Sequence, residues 1–158
     1  MGAPVLSITT GNASHDTVRS TMKAGIAQVN LMVAWIWILL GFLSGFGLGL
    51  NFHREDWLGG YGSYKRRLFR LGHISFFGLG ALNLMFYLTA RNWIGGASVP
   101  ASQFTFQIAS WGFVIGAVSM PLCCLVMAYR STWRGLFLIP VTSLVAAGLL
   151  TIWEIAKL

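Results

Sequence analysis

Charge is what this sequence has least of. Of 158 residues, 9% are Asp, Glu, Lys or Arg, and only four of those are acidic. A soluble domain carries roughly 25% charged residues, so the scarcity excludes a soluble enzyme and a disordered tail. It equally excludes a nucleic-acid reader with its +7 charge spread over a solvated face, and no nucleic-acid partner is expected. The lack of a series of acidic or histidine groups within apolar sequence weighs against a pump or proton-coupled transporter, which needs such a relay. Cysteine is nearly absent too: Cys123 and Cys124 are the only two, and adjacent cysteines make neither a disulfide framework nor a metal cluster. They read as small apolar packing residues. Alternation of apolar and polar residues is missing as well, which excludes a strand-built barrel.

What is present is apolar length. With 56% hydrophobic residues and a mean hydropathy of +0.69, the chain reads as an integral membrane protein. A charge costs a few kcal/mol at a bilayer centre, so charge-free runs mark candidate spans. The runs Ala24 to His53, Leu71 to Ala90, Asn92 to Tyr129 and Gly135 to Trp153 reach or nearly reach the roughly 20 residues a spanning helix needs. Gly95, Gly96, Ser98 and Pro100 shorten the third. The predicted fold is an all-α bundle of four transmembrane helices at about 28–51, 70–91, 103–128 and 135–156. It forms a single domain over residues 1–158, with a mobile polar tail over about 1–16. The first span is too long for a signal peptide. Pro140 is expected to kink the start of the fourth helix.

The first and third loops hold Arg54, Lys65, Arg66, Arg67, Arg70, Arg130 and Arg134, against Arg19, Lys23, Arg91 and Lys157 on the other side. Seven against four predicts both termini outside and the basic first loop in the cytoplasm, with a bacterial inner membrane as the expected location. Trp57, Trp93, Trp133 and Trp153 fall at span ends, where an amphipathic ring suits the headgroup zone, whereas Trp35 and Trp37 are expected to face lipid or a partner helix.

Gly41, Gly45 and Gly49 repeat every four residues, as do Gly112 and Gly116. Glycines at this spacing line one helix face and let two backbones approach, inside the bundle or with another chain. Among polar groups within the spans, Asn83 lies near mid-membrane and suits either interhelical hydrogen bonding or a polar pocket shared with His73. Glu154 and Lys157, three residues apart at the end of the last span, suit an interfacial ion pair.

The densest stretch runs from Tyr61 to His73 and contains Lys65, Arg66, Arg67 and Arg70. Helical spacing puts Arg66, Arg70 and His73 on one stripe, with Phe77, Gly80, Leu84 and Tyr87 deeper along it. Three readings stay open. One is a b-type haem on His73, with His53 as a second axial ligand, Gly80 admitting the macrocycle and Arg66 and Arg70 pairing with propionates. Another is a cationic anchor of Lys65, Arg66, Arg67 and Arg70 gripping anionic lipids. The third is a quinone-type pocket around the same histidine.

The four-span outline with a histidine near a span end resembles the membrane cytochrome b subunits of respiratory enzymes, in topology alone. That resemblance implies paired histidines on different helices, a role only His53 and His73 are placed to fill. The function expected from these features is a small non-catalytic helix-bundle subunit. It would belong to a larger electron-transfer or photosynthetic membrane complex and dock through the glycine face of the first span. A small b-type cytochrome is the alternative.

Overall fold

A computed structural model describes residues 10–95 and 102–157 of the chain. It is all-helical: α1 (Thr10–Leu50), α2 (Tyr64–Gly95), α3 (Gln103–Tyr129) and α4 (Leu138–Ile155), with short 3₁₀ turns at Trp57–Gly59 and Ser131–Phe137. Four segments are long and apolar enough to cross a membrane: Ala27–Leu50, Tyr64–Arg91, Phe104–Tyr129 and Ser131–Ile155. The protein is therefore a four-helix membrane bundle. The spans match the sequence reading to within a few residues, except that α2 and the fourth segment begin earlier. The polar sequence from Thr10 to Asp16, expected as part of a tail, instead continues α1 as helix; residues 1–9 of that tail lie outside the described residues.

Local chemistry sets the helix ends. After Leu50 the chain leaves the helix in turns, with the amides of Asn51 and Phe52 donating to Leu48 and Gly49 at 3.1 and 3.0 Å. Ser63 then caps α2: its Oγ accepts from the Arg66 amide at 3.2 Å and donates to the Leu58 carbonyl at 2.7 Å. A serine in that place satisfies one of the amides left open in the first helical turn. Pro140 lies buried in the first turn of α4; it has no N–H for the Leu136 carbonyl four residues back, which accepts from Cys123 Sγ at 3.3 Å instead.

α1, α2 and α3 all touch one another, and α4 packs chiefly on α3. Small residues make this close approach possible. A side chain at Gly41 or Gly45 would strike the Phe77 ring at 2.8 Å or the His73 ring at 2.7 Å, and one at Gly80 would meet the Ala34 carbonyl oxygen at 3.1 Å. Gly112 is seated against Ala147 and Ser143, and Gly116 against Leu144. Both glycine repeats thus form seams within the bundle, α1 against α2 and α3 against α4. The docking of the first-span glycine face onto another subunit gives way here, because α2 already covers Gly41 and Gly45. Gly49 belongs to no seam: it is exposed, with nothing within 4 Å of a side chain placed there. Gly49→Leu is accordingly expected to leave the thermal midpoint in detergent unchanged, whereas Gly45→Leu lowers it. Equal losses in the two variants would contradict this assignment.

The interior joins an aromatic cluster to a polar knot. Phe86 stands 5.5 Å from Phe106 and 5.2 Å from Phe113, ring centre to ring centre, among the buried Ala27, Ala90, Ala109 and Ala147. Beside them Asn30, Asn83 and Ser110 are 0%, 0% and 2% exposed. Asn30 Nδ2 donates to Asn83 Oδ1 at 2.9 Å and to the Ser110 carbonyl at 3.3 Å. Ser110 Oγ donates to Asn30 Oδ1. Asn83 Nδ2 donates to the Leu79 carbonyl of its own helix at 2.9 Å and across to that of Phe113 at 3.4 Å. Asn83 therefore ties three helices together and does not line a pocket with His73.

Pro121 produces a second cross-link. Inside α3 it has no N–H to donate, so the Ala117 carbonyl four residues back lacks its helical partner. The Trp37 indole of α1 donates to that oxygen at 3.0 Å. Trp37 thus turns inward, whereas Trp35 is 65% exposed on the apolar outer surface. At the end of the last span Lys157 Nζ meets Glu154 Oε1 at 3.0 Å, the ion pair expected there, with Glu154 buried.

Candidate functional site

A cavity of about 530 Å³ lies between α1, α2 and α3. It occupies the half of the bundle next to the α1–α2 loop, since its wall runs from Trp37, Phe76 and Val118 at its deep end to Leu48, Leu68 and Trp57 at the loop. The size is within the range of small-molecule pockets. The wall is almost wholly apolar, with glycines at Gly47 and Gly72 and the aromatic rings of Trp37, Trp57, Phe69 and Phe76.

Ser44 and His73 supply the polar character. Ser44 Oγ lies 3.0 Å from His73 Nδ1 and 3.0 Å from the Gly41 carbonyl oxygen. The hydroxyl has one proton for these two neighbours, so the partner it serves is tied to the imidazole tautomer. Donation from Ser44 to Nδ1 goes with the imidazole N–H on Nε2. The imidazole is fixed mechanically as well: its edge rests on Gly45 and its ring stands 5.4 Å from Phe77 in a T-shaped contact. A serine, a glycine and a phenylalanine therefore hold one histidine in a single pose in the wall of an apolar cavity. Spacing along α2 pointed to the stripe of His73, Phe77 and Gly80. The α1 and α3 contributions, Ser44, Trp37 and Pro121, carry no local sequence signal and are assembled by packing.

The cationic cluster divides. Arg66 is 4% exposed, with its guanidinium carbon 5.1, 5.7 and 5.7 Å from the ring centres of Tyr61, Trp57 and Phe52. Arg70 also lies over the Tyr61 ring, 4.5 Å from its centre, and donates to the Tyr61 carbonyl at 3.0 Å. Arg67 donates twice to the Gly62 carbonyl, at 3.1 and 2.7 Å. These side chains bind the loop that precedes them. Of the four, Lys65 and Arg67 are exposed, Arg70 is half-buried and Arg66 is buried, so Arg66 in particular is withdrawn from the expected lipid anchor.

The residues present do not fit a haem. The notch at Gly80 is filled by the Ala34 carbonyl, Ile38 and Trp37. Arg66 is enclosed by aromatic rings, and His53 is exposed in the turn after α1, not in the cavity wall. His73 alone of the two histidines belongs to the site.

The loop carries backbone strain next to the cavity. Leu58 has φ 56° and is followed by Gly59 at 86° and Gly60 at 92°. A left-handed conformation costs a residue with a Cβ about 1–2 kcal/mol; Ser63 steadies it by its bond to the Leu58 carbonyl. No family model, curated protein or solved structure matches the chain, so its reading rests on its own geometry.

Proposed function

We propose that the protein is a small non-catalytic membrane subunit that holds a lipid-soluble molecule of quinone class in the cavity between α1, α2 and α3. The observation that carries this reading is the pairing of Ser44 with His73 in an otherwise apolar wall. Apolar rings and aliphatic side chains suit a flat hydrophobic head, and with Ser44 donating to Nδ1 the imidazole offers a quinone carbonyl its Nε2–H as one oriented hydrogen bond, which is the usual design of a small-molecule site.

Tryptophan fluorescence tests it, because Trp37 and Trp57 stand in the cavity wall and quinones quench indoles. Titrating decylubiquinone into protein in lipid nanodiscs is expected to give saturable quenching. His73→Ala weakens the apparent affinity about tenfold, the worth of one hydrogen bond. Gly47→Leu abolishes the saturable component, since that glycine lines the cavity and has open space around it. Saturable quenching that survives Gly47→Leu unchanged would reject the site.

Membership of a larger membrane assembly is supported by α1. The helix has 41 residues, of which the span takes 24. At 1.5 Å per residue the remainder continues about 25 Å beyond it, in polar sequence suited to a contact outside the membrane. Co-purification with partner chains from mild detergent tests this, and a lone monomer under those conditions would count against it. The same reading takes the membrane to be a bacterial inner membrane with the basic loop inside. The seven-to-four excess of Lys and Arg supports that orientation.

A further inference from the structure

We infer that the loop of residues 51–63 is a cap that closes the water-facing end of the cavity, with Arg66 holding it shut, so that the site exchanges its ligand with the bilayer alone. The inference deepens the reading of the cavity as a site for a lipid-soluble molecule, by naming the route that selects such molecules.

Three observations meet in this loop. Trp57, among the described residues the only one in the cavity wall from outside the membrane helices, stands at the end of the cavity nearest the loop. Arg66 stacks on Trp57 while also stacking on Phe52 and Tyr61, on either side of it in the chain, and its Nη1 reaches the Arg54 carbonyl at 3.5 Å. One guanidinium thus gathers both arms of the loop around the ring that meets the cavity. The left-handed run from Leu58 to Gly60 directly follows Trp57. A strained segment persists only where its surroundings hold it, and here the clasp of Arg66 and the bond from Ser63 do so.

The opposite boundary of the cavity faces lipid. Leu40, Val118, Leu122 and Leu125 all line it, yet are 37%, 40%, 55% and 47% exposed on the apolar surface of the bundle. In a bilayer those side chains meet acyl chains, so the gap between α1 and α3 is the lateral opening. A water-soluble molecule is met by Trp57; a membrane-dissolved one is met by leucine and valine.

Cys124 reports on the route. It lines the cavity and can be made the only thiol by Cys123→Ser, which keeps a donor for the Leu136 carbonyl that Cys123 serves. Protein in nanodiscs is treated with an anionic, membrane-impermeant methanethiosulfonate and, separately, with an uncharged lipid-soluble one. The parent is expected to react with the lipid-soluble reagent and at least tenfold more slowly with the impermeant one. Arg66→Ala raises the impermeant rate tenfold or more, against the loss of a positive charge that would attract that reagent, and leaves the lipid-soluble rate within twofold. Trp57→Ala does the same with Arg66 intact. No rise in the impermeant rate, or a parallel rise in both, overturns the cap, the second outcome marking a loosened bundle. No quinone is present in this experiment, so its result stands apart from that of the quenching titration.

Discussion

Gly80→Leu forces α1 away from α2 and is expected to cost about 3 kcal/mol or more, the upper part of the range for overpacking a tight interior. The reason is the identity of the obstacle. At Gly45 a new side chain meets an imidazole, which can turn at the expense of its bond to Ser44; at Gly80 it meets the backbone oxygen of Ala34 at 3.1 Å, with Ile38 at 3.2 Å and Trp37 at 3.4 Å beyond. A backbone atom cannot rotate out of the way, so the helix itself must move. Movement there also withdraws the Trp37 indole from the Ala117 carbonyl, leaving that oxygen without the donor that replaces the N–H missing at Pro121. Gly80→Ala is expected to cost about 1 kcal/mol, because the neighbours need give only a few tenths of an ångström. The measurement is unfolding in mixed micelles, with tryptophan fluorescence as a second probe. A Leu variant as stable as the Ala variant would show that α1 does not rest on this glycine.

The spans were legible because a bilayer punishes charge without regard to tertiary context, so gaps between charged residues alone locate four helices. Helical spacing also carried His73, Phe77 and Gly80 onto one face of α2, where the structure has them. What spacing cannot reveal is which neighbour fills a face. Gly80 reads equally well as a seat for a flat ligand or for another backbone, and the Ala34 carbonyl occupies it. Arg66 illustrates the same limit with charge. A basic residue beside a span is ordinarily solvated or bound to lipid headgroups. Aromatic residues contributed by the preceding loop enclose this one, at 4% exposure. The Ser44–His73 pair and the Pro121–Trp37 link each join helices through residues 29 and 84 positions apart in the chain, respectively. No local pattern encodes either pairing.

Asn83→Leu is expected to destabilise the bundle by about 2 kcal/mol, most of it from the partners left behind. An interhelical hydrogen bond in a membrane protein is worth about 0.6 kcal/mol on average and rarely above 1.7, so the lost Asn30–Asn83 bond is a minor part. Asn30, at 0% exposure, keeps only its longer 3.3 Å bond to the Ser110 carbonyl as an outlet for Nδ2. A buried donor stripped of its acceptor costs about 1–3 kcal/mol. Asn30→Leu is expected to cost a similar amount, since it strands Asn83 Oδ1 and the Ser110 hydroxyl together. The double variant separates burial of orphaned polar groups from simple loss of packing. Removing both asparagines removes the group that each single substitution leaves unsatisfied, so the combined cost falls short of the sum by about 1 kcal/mol or more. Ser110→Ala added to the pair then costs little, because its hydroxyl has already lost the Asn30 oxygen. Costs that add to within about 0.3 kcal/mol would mean that the three residues act separately. Coupling would instead make the knot the device that fixes α1, α2 and α3 in register, since apolar side chains facing lipid leave the sliding of one helix along another weakly opposed. That register is what brings Ser44 of α1 level with His73 of α2. A loosened knot should therefore also weaken saturable quinone quenching, at a site well removed from the substitution along both helices.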